Sequence, residues 1–175
     1  METDSTVTLK TLLKKRAKEL AKPKERLDID ESLEVLTFNL SDELYGIETK
    51  YAKEVFPLKT ITPLPTAPPF IMGLSNLRRR IISIIDLRIF FSLTKKVTGH
   101  PKAILIRDHE KEFALYCNEV LGIRKILLKE LQVSLPTLHG IKEEFLKGIT
   151  KDLTLLDGSK LLNSKHMIVD EFVET

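Results

Sequence analysis

Asp86 and Asp157 each close an apolar stretch, in "IISIID" and "LTLLD". Two carboxylates held together could do general acid–base work, one protonated and one ionised. The simpler role at each position is an N-cap, in which the carboxylate accepts backbone N–H groups at the start of the short helical pattern that follows. The other reactive residue types are scattered. His100, His109, His139 and His166 stand in separate segments with no H-E-x-x-H or paired C-x-x-C spacing, so no metal site is expected. Cys117 ends the apolar strand "EFALYC", where a thiol behaves as a small buried hydrophobe, and no base neighbours it. The chain also lacks the glycine-rich loops that cradle nucleotide phosphates, and no cofactor is expected. These residues point away from catalysis and toward binding.

The most conspicuous binding candidate is "GLSNLRRRIISIIDLRIFF", with Arg78, Arg79 and Arg80 in succession. No aromatic residues interleave to stack bases, and 28 basic against 25 acidic residues leave a net charge of only +3. A nucleic-acid partner is therefore not expected. Two readings stay open: a hairpin turn whose charges face water, or a protein-docking edge, which suits arginine's flat multidonor head.

The elements that must position these residues fit within 175 residues, enough for one domain or two small subdomains sharing a core. A single cysteine rules out an internal disulfide and fits a reducing compartment. No stretch approaches the ~20 apolar residues of a bilayer span, and the N-terminus has no signal-peptide core. A cytoplasmic protein without direct membrane insertion is expected. Residues 1–32 read as an amphipathic helix, with Leu9, Leu12, Leu13, Ala17, Leu20 and Ala21 on one face, followed by a charged linker. The stripe is expected to pack on the domain or on a second copy. From Leu33 the pattern changes to short strands. Leu36, Phe38 and Leu40 alternate with polar residues, and "SDE" turns the chain into "LYGI". Further strands are expected at 53–58, 80–85, 103–107, 112–117, 122–127 and 153–156. Pro57, Pro63, Pro65, Pro68 and Pro69 mark a connection or an edge, and "PPFIMGLSNL" reads as one helical turn.

The two halves are faintly alike. "ELYGIETKYAKEV" parallels "EFALYCNEV", ending on Glu54-Val55 and Glu119-Val120; Gly73 pairs with Gly148 and Asp86 with Asp157. Two similar β units follow, each too small to bury a core alone, and two packed β-barrels are the economical arrangement.

"GLSNLRRRIISIIDLR" resembles the Gly-x-x-Asn-Leu-Arg-Gly…Pro-x-x-Asp-Leu-Arg signature of the CheW family of chemotaxis adaptors, matched by Gly73, Asn76, Leu77, Arg78, Asp86, Leu87 and Arg88. The similarity extends over about residues 33–165. It implies a mainly β fold of two SH3-like five-stranded barrel subdomains over residues 33–175, with the N-terminal helix outside them and a short C-terminal helix. It also implies a non-enzymatic adaptor coupling the cytoplasmic tip of chemoreceptors to the regulatory domain of a CheA-type histidine kinase. A regulatory module of a different two-component pathway is the alternative. Carried over residue by residue, Ala52 and Glu54 would face the kinase. Val55, Leu58, Gly73 and Arg78 would contact the receptor or support its groove, while Arg79 and Arg80 are expected to be solvated turn charges. Three positions depart from the family: Arg79 stands for glycine, Ser83 for proline and Asn118 for the common aspartate.

Overall fold

The computed structural model describes residues 31–96, 99–133 and 141–167. The expected N-terminal helix lies outside them. Among the described residues ten strands form: β1 (Ser32–Leu40), β2 (Glu43–Glu48), β3 (Ala52–Pro57), β4 (Ile71–Leu77), β5 (Arg80–Ile85), β6 (Lys102–Arg107), β7 (Glu112–Cys117), β8 (Glu119–Leu127), β9 (Leu146–Ile149) and β10 (Thr154–Leu156). Three short helices join them: α1 (Leu87–Phe90) after β5, α2 (Ile141–Glu144) before β9 and α3 (Gly158–Asn163) after β10, with one 3-10 turn at Leu128–Glu130.

The strands form two five-stranded sheets, ordered β8-β1-β2-β10-β9 and β3-β6-β7-β5-β4. The orders superimpose position by position, with β8 matching β3, β1 matching β6, β2 matching β7, and the β10-β9 pair matching β5-β4. Even the lone parallel contact recurs, β10 on β2 and β5 on β7. The internal likeness read from sequence is therefore a repeated topology, but the repeats exchange parts. The first half gives its opening hairpin, β1–β2, to one sheet and β3–β5 to the other. The second half does the reverse with β6–β7 and β8–β10. Neither half owns a complete sheet.

Strand alternation explains why both faces of each sheet are apolar. On β1, Leu36, Phe38 and Leu40 enter a core shared with Ile104, Ile106 and Leu115 of the second sheet. Val35 points the other way, into a smaller cluster with Ile126, Leu153 and Leu155. The second sheet has its own counterpart, built from Phe56, Leu77, Ile82, Ile84, Leu105 and Tyr116. Phe38 and Ile104 are wholly buried, and each such side chain contributes about 1.5–3 kcal/mol.

The helical turn expected in "PPFIMGLSNL" is not there. Ile71–Leu77 is strand β4, paired antiparallel with β5. Pro68 only shapes the turn before it, where the Ile71 N–H donates to the Pro68 carbonyl at 2.9 Å. Ile71, Gly73 and Leu77 then bury at odd positions, a period-two pattern that a strand partner rewards and a helix cannot. Each sheet is also crossed by a strap. Thr62, in the proline-rich stretch, bridges Leu74 of β4; Gln132, after the 3-10 turn, bridges Ile149 of β9. Gly73 and Gly148 sit under these straps. A Cβ on Gly73 would stand 2.2 Å from the Thr62 carbonyl oxygen, and one on Gly148 1.9 Å from a Leu131 methyl.

Candidate docking surface

The two candidate carboxylates are committed locally. Asp86 caps α1, accepting from the Arg88 N–H at 3.0 Å, and its two oxygens take Nε and Nη2 of the Arg88 side chain at 2.9 and 2.8 Å. The Arg88 guanidinium lies 3.9 Å from the Tyr116 ring centre, and its Nη1 donates to the Lys96 carbonyl at 2.9 Å. Asn118 joins the same network: its Nδ2 donates to the Lys96 carbonyl at 2.7 Å while its Oδ1 accepts from the Ser41 N–H at 2.8 Å. Asp86, Arg88 and Asn118 are all buried, so the cluster ties the β1–β2 turn to the ends of β5 and β7. Asn118 does this with an amide that accepts on one side and donates on the other, a task an ionised aspartate cannot perform. Asp157 caps α3 through the Lys160 N–H at 3.1 Å. Burial pushes the Cys117 thiol up to about 12, keeping it protonated and unreactive. Among the described residues, no three His, Cys, Asp or Glu side chains gather as a metal site would need.

The expected docking residues lie on the second sheet. Leu77 and Arg80 close a hairpin whose central residues, Arg78 and Arg79, both have positive φ, 49° and 67°. Two successive left-handed residues make the tight turn that matches strand twist. The Arg79 N–H donates to the Asn76 side-chain oxygen at 3.0 Å, which fixes the turn from below. Arg78 then reaches across to β3, where its Nη2 pairs with Glu54 Oε1 at 3.0 Å; its side chain is 76 % exposed, that of Glu54 26 %. Because β3 and β4 are the two edges of this sheet, the pair links edge to edge.

Of the residues expected at the surface, Glu54 and Arg78 are thus brought into contact. Residues assigned to the kinase and to the receptor meet in one ion pair. Val55 is exposed on β3, and Ala52 packs partly buried against the shared core. Leu58 lies past the end of β3, partly buried on the second sheet's own cluster, and Gly73 is buried under its strap. Arg80 is not a free turn charge: its Nη1 meets both oxygens of Glu112 on β7, at 2.9 and 2.8 Å. Sequence reasoning overlooked five exposed apolar side chains, Ile81, Leu121, Ile123, Leu128 and Val133. Ile81 was legible in principle, since inward Ile82 and Ile84 put it on the opposite face from Ile82. Leu121 and Ile123 share the exposed face of β8 with Lys125, and two apolar residues at alternate positions read in sequence as an inward face.

Comparison with known proteins decides the family. The CheW-like domain model matches residues 34–166, from β1 past α3. The chain belongs to the CheW-like domain family. A chemotaxis protein CheW from Treponema pallidum is 26 % identical over 147 residues, covering 79 % of this chain and 86 % of the relative. Protein FrzA of Myxococcus xanthus is 28 % identical over 139 residues, covering 75 % and 86 %. The crystal structure of the scaffolding protein TtCheW from Thermoanaerobacter tengcongensis matches with a TM-score of 0.65 at 26 % identity, over 73 % of this chain and 90 % of that one. The paired five-stranded sheets are those of the CheW-like fold, and the signature turn is the hairpin that carries Arg78.

Proposed function

We propose that this protein is a non-catalytic chemotaxis adaptor that joins the cytoplasmic tip of chemoreceptors to the regulatory domain of a CheA-type histidine kinase. It would work in the cytoplasm and reach receptor arrays through these partners. Residues 33–175 would form the coupling domain and residues 1–32 an appendage. The observation that carries this reading is the signature hairpin, which displays Arg78 on the surface in contact with Glu54 of β3. Ala52 and Glu54 would serve the kinase. Val55, Leu58 and Arg78 would serve the receptor, with Gly73 supporting the β4 edge that leads into the Arg78 turn. Among the described residues no helix is long and apolar enough to cross a membrane.

The test is binding of purified protein to the kinase regulatory domain and to a receptor-tip fragment. Arg78→Ala removes a charged donor worth roughly 1.5–3 kcal/mol. Receptor affinity should fall about tenfold or more, at ~1.4 kcal/mol per factor of ten. Glu54→Lys should weaken the kinase complex. Because the two residues are paired, each change also releases the other, so the swap Glu54→Arg with Arg78→Glu is the deciding variant. Restored pairing without restored binding assigns both residues to partner contacts. Normal binding of both partners by the folded single variants would overturn the assignment.

A further inference from the structure

A second polar surface lies on the other sheet, away from the signature hairpin. The end of β8, the 3-10 turn after it and the β9–β10 turn enclose a half-open cleft of about 600 Å³. Its wall contains Arg124, Lys125, Lys129 and Lys151, against only Glu130 and Asp152. Asp152 is already spent: its oxygens take Nη1 and Nη2 of Arg124 at 2.9 and 3.0 Å, and Thr150 Oγ1 at 3.1 Å. That fork fixes the guanidinium, whose Nε is buried with no hydrogen-bond partner. Lys125 and Lys151 have no acidic partner within ion-pair distance among the described residues. The uncompensated charge in the cleft is therefore positive. Along the same stretch, Leu128 and Val133 expose apolar side chains, Val133 at 82 %.

We propose that this cleft is a docking site for a short acidic segment of a partner protein, one that combines carboxylates with apolar side chains. Separated lysine ammoniums suit carboxylates spaced along an extended peptide, and Leu128 and Val133, next in sequence to the lining residues Lys129 and Gln132, are exposed apolar side chains on the same stretch. A cleft of this volume is in the range that buries several side chains. A nucleotide is disfavoured because no aromatic residue lines the wall to stack a base. The site is independent of which partners Arg78 and Glu54 meet.

The test titrates the ¹⁵N-labelled full chain with a synthetic peptide of alternating glutamate and leucine. A lysine–leucine peptide and inorganic phosphate serve as comparison probes. The acidic peptide should shift amides in 124–133 and 150–152 saturably, and more weakly as salt is raised from about 20 to 300 mM, because exposed charges are screened. Lys125→Gln combined with Lys151→Gln should lower its affinity about tenfold while leaving the remaining spectrum unchanged. Shifts centred elsewhere, equal binding by the lysine peptide, or an unaffected double variant would each overturn the proposal. Phosphate alone reproducing the shifts at similar concentration would also overturn it, in favour of a small-anion site.

Discussion

Arg79 holds a backbone conformation, φ 67°, that costs an L-residue roughly 1–2 kcal/mol and glycine almost nothing. The hydrogen bond from its N–H to Asn76 helps to hold it there. Arg79→Gly relieves the strain but loosens the unfolded chain, so the net gain should lie between zero and about 1 kcal/mol. Thermal unfolding should report this as a rise of no more than about 4 °C. A fall would mean that the Arg79 side chain has a structural partner. The Arg124–Asp152 pair has a pH signature. Hydrogen bonds from Arg124 hold the Asp152 carboxyl down to about 2. The unfolded value is about 3.9. Its contribution is thus complete above pH ~4 and is lost as pH falls toward 2. Asp152 is more than half exposed, so the pair is worth well under about 1 kcal/mol. Acid titrations of stability for the parent and Asp152→Asn should run parallel above pH ~4 and converge below it. At this scale the sequence was half legible. Asp86 and Asp157 read as caps because capping is local. The Arg78–Glu54 and Arg80–Glu112 pairs were not readable, since each joins residues far apart in sequence.

Strand alternation made most elements readable, and β4 is the instructive exception. Its neighbouring prolines suggested a turn, but the partner strand β5 decides the matter by supplying a ladder and a shared face. The straps were also invisible in sequence, because Thr62 and Gln132 each make one isolated bridge and lie in no periodic pattern. They give Gly73 and Gly148 different tolerances. A Cβ on Gly73 meets the backbone carbonyl of Thr62, at a φ of 140° that side chains rarely adopt. A Cβ on Gly148 first meets the movable end of the Leu131 side chain. Gly73→Ala should therefore destabilise by about 2 kcal/mol or more, and Gly148→Ala by clearly less. Chemical denaturation of both variants checks the order; a larger loss for Gly148 would show that its strap is the stiffer one.

Across the whole molecule, the exchange of hairpins between halves means that the chain cannot be divided at its midpoint without dividing both sheets. Residues 1–96 and 97–175, produced separately, should each lack fixed tertiary structure, and mixing them should restore the strand spectrum of the intact protein. A fragment that folded alone would show that the exchange is not obligatory. The same feature orders events during synthesis. The second sheet, β3 to β7, is complete once residue 117 has been made, whereas the first waits for β8, β9 and β10. β1 is the first of the described strands to emerge, yet Ser32 finds its partner only in Leu127. Until then Leu36 and Phe38 travel on a two-stranded hairpin whose sheet still lacks its other three strands. Contacts of such long sequence separation slow folding. The nascent chain thus carries an apolar, unpaired edge for about half of its translation, and the interval between making β1 and covering it is when this protein is most exposed to aggregation.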